Sequence, residues 1–468
     1  MTEPWQLDIG ALAQAYAART LSPVEALGSV LARLDAVNPK INAVIARDDS
    51  AAYAAARESE RRWLRGAPLS ALDGVPISVK DNIPVAGMPC RWGSALYPGH
   101  AQLRDESSAQ RLRDAGALLF AKTNVPEFTL QGYTDNLVFG TTRNPWNTAL
   151  TPGGSSGGAV AAVAAGIGPA ALATDGGGSI RRPAAYTGLV GLKPSWGTVP
   201  RAHGLPEMLP GLEVIGPIAR STADLVRVLQ VIAPTLWHLD PLALPAPQPL
   251  RIAHWSRIGN SPVDPLIDQR MAAVADQLRG MGHIMTAADA PAAVHVFNRR
   301  AWPVLSATGL AAVLHDSTPK DDARMTPALA AMLVTGRSLR AVDLFNAQVH
   351  QHAMRDAMDH VFEDVDLVLT PACAAMPWAA EQSHPTTIAG QRVDPRGHAV
   401  FTAFVNGAGL PALALPAAPS ADGLPIGLQL IGPQGSDALL CALGLAFERQ
   451  QPQARRWPLP SLSESQPA

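Results

Sequence analysis

Residues 151–181 read TPGGSSGGAVAAVAAGIGPAALATDGGGSIR, and this stretch decides which class of fold the chain can adopt. Two clusters rich in glycine and serine, 153–158 and 176–181, lie near its ends. A flexible linker has a similar glycine-serine composition. Here, however, an apolar run over 159–165 with a helical pattern separates the two clusters. We therefore predict that the stretch is packed inside an ordered domain.

The glycines of both clusters can bring backbone N–H groups close to a ligand. A phosphate-binding P-loop needs the spacing G-x-x-x-x-G-K followed by Ser or Thr, and neither cluster has it. At Ser179 a G-x-S-x-G nucleophile elbow is excluded, because that serine is not followed by glycine two residues later. The interpretation that fits is a serine nucleophile preceded by its own oxyanion hole, built from the backbone of Gly176, Gly177 and Gly178.

Such a serine needs a base, because its hydroxyl is a weak nucleophile. Between residues 80 and 179 the only histidine is His100, which lies in a loop-like segment. Lys80 is the other candidate, since it follows a predicted buried strand over 75–79, and α/β sites lie at the carboxyl ends of strands. On these residues alone Lys80 could equally be an ordinary solvated lysine, and that alternative stays open at this point.

Patterns elsewhere alternate between helices and strands. Ser22, Pro23 and Glu25 are typical of a capping box that begins a helix, and we expect that helix to end at Asn38 and Pro39. Further helices are predicted over 50–66, 105–116, 264–281, 338–362 and 436–450. Further strands are predicted over 117–121, 366–370 and 412–415. This alternation favours an α/β fold.

The composition excludes several functional classes. The chain has 468 residues, with 37 Lys and Arg against 39 Asp and Glu, so a strongly basic nucleic-acid binder is excluded. A hydrophobic share of 47% excludes wholesale disorder. Three cysteines are too few for a disulfide framework or a zinc site. The first ten residues do not resemble a signal peptide and 159–173 is too short for a membrane span, so we expect a cytoplasmic protein.

Several motifs, taken in their order along the chain, resemble those of the amidase signature family. They are G-V-P-I-S-V-K-D-N (74–82), P-G-G-S-S-G-G (152–158), T-D-G-G-G-S-I-R-R-P-A (174–184) and G-L-V-G-L-K-P-S (188–195). Long motifs in the expected order and at the expected intervals are more specific than any one of them alone. Within this resemblance, Lys80 is no longer interpreted as an ordinary surface lysine.

The resemblance is dense over 70–220, returns over 366–450 and is weak over 234–365. It implies an α/β fold with one large domain, a mixed central β-sheet flanked by α-helices on both sides. This replaces the three domains suggested by a length prior of about 150 residues per domain. We expect the catalytic domain to cover 1–455, with pocket walls from 234–365 and a disordered tail over 456–468.

Residue by residue, the resemblance implies a Ser-cisSer-Lys triad. In this triad Ser179 is the nucleophile, Ser155 follows a cis peptide and relays a proton, and Lys80 is the base. Ser156 is expected to form a hydrogen bond within the site, or to cap the following helix, or both. Arg181 is expected to brace the site rather than touch substrate.

The neighbours of these residues carry their own expectations. Asp81 should point away from Lys80, because a carboxylate there would raise the pKa of the amine. The histidines on helical patterns, such as His350, His352 and His360, lack metal-ligand spacing and are interpreted as surface residues. An apolar pocket could be lined by Trp92, Trp146, Trp196 and Trp302, but core or surface packing is the default for them.

The implied activity is hydrolysis of a small-molecule amide through an acyl-enzyme, without a metal or other cofactor. Hydrolysis of ureas, carbamates or esters is an alternative within the family. A second is the glutaminase-type A subunit of a tRNA-dependent amidotransferase, and a third is a paralogue that only binds. We expect no nucleic-acid or membrane partner, and a homodimer is plausible by base rate.

Overall fold

One mixed β-sheet organises the computed structural model, which describes residues 2–233, 249–450 and 457–458. In the described residues, eleven strands form this central sheet and two others form a small separate hairpin. The strands are β1 (Val44–Arg47), β2 (Pro76–Lys80), β3 (Leu118–Thr123), β4 (Ala170–Asp175), β5 (Val190–Lys193), β6 (Val214–Ala219), β7 (Arg251–His254), β8 (Ile284–Ala287), β9 (Leu367–Pro371), β10 (Thr387–Ile388), β11 (Gln391–Arg392), β12 (Ala412–Pro416) and β13 (Gly427–Ile431).

The order of strands across the sheet is β1-β3-β2-β4-β6-β5-β12-β13-β9-β7-β8. The β3-β2-β4 group is parallel, as is the β9-β7-β8 group, and the pairs between and beyond them are antiparallel. Because β2 and β4 are parallel neighbours, their carboxyl ends meet at the same edge of the sheet. The α/β fold with a mixed central sheet is thereby confirmed.

Helices pack around this sheet. They are α1 (Ile9–Ala17), α2 (Pro23–Ile41), α3 (Asp49–Leu64), α4 (Ser107–Asp114), α5 (Gly157–Ala164), α6 (Arg181–Thr187), α7 (Thr222–Ile232), α8 (Pro265–Gly280), α9 (Ala292–Val296), α10 (Trp302–Val313), α11 (Pro319–Asp322), α12 (Pro327–Ser338), α13 (Ala341–Asp364), α14 (Ala403–Gly407) and α15 (Asp437–Arg449). A π-helical turn, Phe297–Ala301, joins α9 to α10. Among the helices described here, none has the length and apolar character needed to cross a membrane.

The capping box of α2 forms as predicted. The Glu25 N–H donates to Ser22 Oγ at 3.1 Å, and the Ser22 N–H donates to Glu25 Oε2 at 2.8 Å. The predicted end at Asn38 and Pro39 is wrong, because the helix continues to Ile41. A proline so near the carboxyl end removes only one backbone donor, and the last turn still closes when the Asn42 N–H donates to Asn38 O at 2.8 Å.

Several strands carry no clear sequence signal. The clearest case is β6, whose sequence VIGPIA contains Gly216 and Pro217 although the strand lies inside the sheet. Proline and glycine normally argue against a central strand. Here every residue of β6 is buried, and the strand pairs antiparallel with β4 along its whole length. Burial and pairing therefore override the local preference.

The ends of the predicted domain are only partly visible. The boundary at 455 and most of the predicted disordered tail over 456–468 lie outside the described residues, as does 234–248 of the variable stretch. Within the tail, Trp457 packs edge-on against Trp5, with ring centroids 4.6 Å apart. At this point the chain is therefore held against the amino-terminal segment.

Candidate active site

Lys80 ends β2 and is completely buried. Its Nζ lies 2.9 Å from Ser155 Oγ, 2.8 Å from Thr174 Oγ1 and 3.2 Å from Thr174 O. Thr174 precedes the last residue of β4, so the parallel pairing of β2 and β4 places the two side chains at one sheet edge. The structure thus brings together Lys80 and Ser155, which lie 75 residues apart in sequence.

Burial lowers the pKa of Lys80 from its usual value of 10.5 to about 7. The negative charges of Glu213 and Asp175 oppose this effect, while Arg201 adds to it. Asp81 does point away from the amine, because its carboxylate accepts the backbone N–H groups of Arg91 at 3.2 Å and Gly93 at 3.3 Å. A neutral lysine is therefore accessible near neutral pH.

The segment that carries Ser155 has little freedom. The Gly154–Ser155 peptide bond is cis, and a Cβ on Gly154 would lie 2.3 Å from Tyr133 O. Only glycine fits at this close approach between two backbone segments. The segment therefore holds Ser155, whose side chain is completely buried, against Lys80.

Ser156 links this segment to the loop that carries Ser179. Its N–H donates to Ser179 O at 3.2 Å, and its Oγ donates to Thr174 O at 3.3 Å. The side chain makes no capping hydrogen bond to α5, so of the two predicted roles the structure contains the hydrogen bond within the site. Ser156 thereby connects the backbone of Ser179 to the strand end beside Lys80.

The Ser179 loop folds around the carboxylate of Asp175. Asp175 Oδ1 accepts the Gly178 N–H at 2.7 Å, and Asp175 Oδ2 accepts the Ile180 N–H at 3.0 Å. Gly178 has a φ of +114°, and a Cβ there would also lie 2.3 Å from Thr402 Oγ1. These bonds fix the backbone on both sides of Ser179, whose side chain faces a surface cavity.

The predicted set of oxyanion donors needs one correction. The Gly178 N–H is already bound to Asp175, so it is not free to bind a reacting oxygen. Within the described part of the chain, the N–H groups of Gly176, Gly177 and Ser179 make no hydrogen bond. The sequence motif did not reveal this difference, because the motif does not show which way each N–H points.

Arg181 is buried and forms the centre of a hydrogen-bond network. Its guanidinium pairs with Asp175 through contacts of 3.0 Å and 2.9 Å, and reaches Gln429 Oε1 at 2.7 Å and Asn406 Oδ1 at 2.5 Å. It also donates to Thr402 O at 3.2 Å. Burial alone would raise the pKa of Asp175, but Arg181 and the backbone donors hold it well below its usual range. Arg181 therefore braces the loop and does not face the cavity.

The cavity beside Ser179 is bounded by residues from distant parts of the chain. Gly176 and Gly177 line the cavity, as do the Leu209 side chain, which lies against Gly176, and the Trp302 ring, which lies against Gly177. Trp302 directly follows the π-helical turn, and a Cβ on Gly177 would lie 2.5 Å from its ring. The interpretation of Trp302 as a residue that only packs is therefore incomplete, because Trp302 also lines the cavity.

The other singled-out residues lie elsewhere. Trp92 packs against Phe128, with ring centroids 5.2 Å apart, and His352 and His360 are exposed on α13, where His350 is partly exposed. Within 2–233, 249–450 and 457–458, no group of three or more metal-ligating side chains is assembled.

The fold and the geometry of the site together indicate the class of protein to which this chain belongs. A completely buried lysine is hydrogen-bonded to one serine at the edge of a mixed sheet, and the next residue is hydrogen-bonded to the backbone of a second serine on a glycine-rich loop. This arrangement is suited to acyl transfer. The amidase family profile matches residues 25–441, and the chain belongs to this family of amidase signature hydrolases.

Known relatives span different activities. The A subunit of glutamyl-tRNA(Gln) amidotransferase from Chloroflexus aggregans is 34% identical over 96% of this chain and 97% of its own length. An acylamidase from Rhodococcus erythropolis is 32% identical, again over 96% of this chain and 97% of its own length. A bacterial aryl acylamidase structure has a TM-score of 0.87 at 30% identity, covering 95% of this chain and 96% of its own. Family membership alone therefore does not select a substrate.

Proposed function

We propose that the protein hydrolyses a carboxylic amide of a small molecule to an acid and ammonia or an amine. The observation that carries this proposal is the 2.9 Å contact between the buried Nζ of Lys80 and Ser155 Oγ. Ser179 is the nucleophile, Ser155 relays the proton and Lys80 is the base. No metal or organic cofactor takes part in these steps, and we retain the cytoplasm as the expected location.

The contacts of Lys80 support a base role. A neutral amine has two hydrogens and one lone pair. Thr174 offers two acceptors, its carbonyl oxygen and its Oγ1, at 3.2 Å and 2.8 Å from Nζ. If both hydrogens bind these acceptors, the lone pair is left facing the hydroxyl of Ser155. Thr174 is then a positioning residue that directs the lone pair of Lys80 toward the proton it accepts.

The reaction follows from these positions. Ser179 Oγ attacks the amide carbonyl, and its proton passes through Ser155 to Lys80. The N–H groups of Gly176, Gly177 and Ser179 stabilise the resulting oxyanion. The proton returns through Ser155 to the leaving nitrogen as the C–N bond breaks. A water molecule then cleaves the acyl-enzyme by the same route, which releases the acid and restores Ser179. Ser156 and Arg181 hold the two serine segments in place.

The decisive test compares Ser179→Ala with Ser338→Ala, which alters an exposed serine of α12. Ammonia release from a panel of simple amides and ureas, and acid release from esters, should fall by a factor of about 10⁴ or more in Ser179→Ala and stay unchanged in the control. A fluorophosphonate probe should label the wild type and the control but not Ser179→Ala. Full activity of Ser179→Ala would exclude the proposed role, and absence of labelling in the wild type would favour a protein that only binds.

The A subunit of an amidotransferase is a second candidate, because a relative with this name is 34% identical over 96% of the chain. The two functions differ in what the isolated chain can do. A free-standing amidase hydrolyses simple amides without partner subunits. If the purified chain releases ammonia from glutamine only after other subunits are added, and leaves simple amides intact, the second candidate is favoured.

A further inference from the structure

Arg182 is an almost completely buried arginine without a carboxylate partner among the described residues. It is only 3% exposed, and its Nε has no hydrogen-bond partner in this part of the chain. Its remaining nitrogens make two long contacts, to Thr402 Oγ1 at 3.5 Å and to Gly154 O at 3.4 Å. Arg182 lines the same cavity as Ser179. A buried guanidinium in this state has unused donors facing the place where substrate binds.

Arg396, from a much later part of the chain, also lines this cavity. Its guanidinium lies over the Trp302 ring, 4.9 Å from the centroid, and among the described residues it forms no ion pair. It also borders a second cavity of about 450 Å³, whose other charged lining residues are Arg299, Arg392 and Asp394. Burial lowers the pKa of Arg396, and the positive charge of Arg182 lowers it further, so the two guanidinium groups are near enough to interact.

The one carboxylate in the Ser179 cavity lies at a different place. Glu213 approaches Gly176, whereas Trp302 covers Gly177 and Thr402 covers Gly178. The carboxylate of Glu213 is also paired with Arg201 at 2.5 Å. The two arginines are therefore on the Trp302 and Thr402 side, and they are not neutralised there by Glu213. A buried cation without a counter-charge, such as Arg182, is costly unless a ligand supplies negative charge.

We propose that Arg182 and Arg396 bind a carboxylate of the substrate, so that the preferred substrates are amides that also carry a carboxylate group. This inference rests on the proposed amidase function and specifies its substrate class. A guanidinium matches a carboxylate in shape and can bind it through two parallel hydrogen bonds. Arg182 and Arg396 are then specificity-determining residues, which act on binding and not on the proton transfers.

Arg182 and Ser179 are close in sequence and line the same cavity. The Arg182 N–H donates to Gly178 O at 3.0 Å, so Arg182 lies one helical turn beyond the glycine that precedes Ser179. A small substrate can therefore contact both residues, and the monoamide of a short dicarboxylic acid is a suitable probe.

The test compares two amides of equal shape. Succinamate carries a carboxylate, and 4-methylpentanamide replaces that carboxylate with an uncharged isopropyl group. For the wild type, kcat/KM measured from ammonia release should be about tenfold or more higher with succinamate, because the charge-assisted hydrogen bonds are made only there. Arg182→Gln and Arg396→Gln should each remove most of this preference, chiefly by raising KM. Arg279→Gln, which alters an exposed arginine of α8, serves as the matched control for lost charge.

The outcomes separate this inference from the proposed function. Equal use of both amides by the wild type, or an equal loss with both amides in the arginine variants, would overturn the carboxylate site while leaving the amidase intact. If Arg182→Gln does not fold, the partly exposed Arg396 still provides the comparison. Calorimetry with succinate provides a readout without turnover. Succinate should bind the wild type and the Arg279→Gln variant and lose at least about tenfold in affinity in Arg396→Gln. Such binding would support the carboxylate site even if no amide were hydrolysed.

Discussion

Two buried lysines of the central sheet invite comparison. Lys80 ends β2 and Lys193 ends β5, and both side chains are completely buried. Burial lowers the pKa of each from 10.5 to about 7. Yet the Nζ of Lys80 meets a serine hydroxyl, whereas that of Lys193 donates to the backbone carbonyl of Pro194 at 2.7 Å. A lowered pKa therefore does not by itself define a base.

What differs is the chemistry of the partner. A hydroxyl can give up a proton to the amine and regain it, and a carbonyl oxygen cannot. Ser155 belongs to the segment that Ser156 joins to the Ser179 loop, and in the proposed mechanism it passes the proton of Ser179 to Lys80. Lys193 is beside no such group in the described chain. The comparison teaches that position next to an exchangeable proton, combined with burial, distinguishes the candidate base from a structural lysine.

The largest expected effect comes from replacing each amine with an apolar side chain of similar length. Lys80→Met should lower kcat/KM for an amide substrate on the order of a thousandfold, because a general base is lost. Lys193→Met should leave kcat/KM within about threefold, since its amine touches no reacting group. Steady-state ammonia release from both variants measures the difference, and circular dichroism checks that both are folded. Equal losses in the two variants would break the comparison.

The pH dependence of the wild type should be the next largest effect. If neutral Lys80 is the active form, kcat/KM for an uncharged amide should rise about tenfold per pH unit below 7 and level off above roughly 8. The direction follows from the lowered pKa, since protonation removes the base as the pH falls through about 7. Lys193→Met should show the same profile. A profile that is flat between pH 6 and 9 would contradict the assignment of the base.

The smallest expected effect concerns stability and should be shared by both lysines. Between about pH 7.5 and 9 each lysine is neutral in the folded chain and charged in the unfolded chain, so unfolding takes up a proton. Each therefore increases the free energy of unfolding by up to about 1.4 kcal/mol per pH unit in this window. Lys80→Met and Lys193→Met should each reduce the slope by that amount in urea unfolding at several pH values.

The exposed Lys320 supplies the control for this last measurement, because Lys320→Met removes an amine that is in contact with solvent. Its slope should match that of the wild type. If only Lys80→Met changed the slope, the two lysines would differ in their titration as well as in their neighbours, and the comparison would need a different physical basis.

The residues of the site that lie within local motifs could be predicted from the sequence. Lys80, Ser155 and Ser179 lie in segments whose order and spacing resemble one family, and the structure places the first two in contact. Thr174 was missed as a contact of Lys80, because no strand was predicted over the residues that form β4. The helix boundaries were predictable to within a few residues for the same local reasons, as the capping box of α2 illustrates.

The remaining residues could not be found in this way. Thr402, Asn406 and Gln429 reach the nucleophile loop from more than 220 residues further along the chain. Their positions depend on the order of strands in the sheet, and the local pattern of a strand does not show which strand it pairs with. Arg396 was likewise missed as a cavity residue, and Trp302 could not be told apart from three other tryptophans, because a position beside a cavity is a property of the assembled fold.

The network around Arg181 has a consequence for synthesis of the chain on the ribosome. The Ser179 loop is complete by residue 181, but its arginine is bound by Asn406 and by Gln429 of β13, 248 residues later. During translation these partners emerge long after the loop, since the chain leaves the ribosome from its amino end. A nascent chain can therefore carry Lys80, Ser155 and Ser179 before the partners of Arg181 are present. If these three residues act as proposed, competence for hydrolysis is acquired only after β13 has been synthesised.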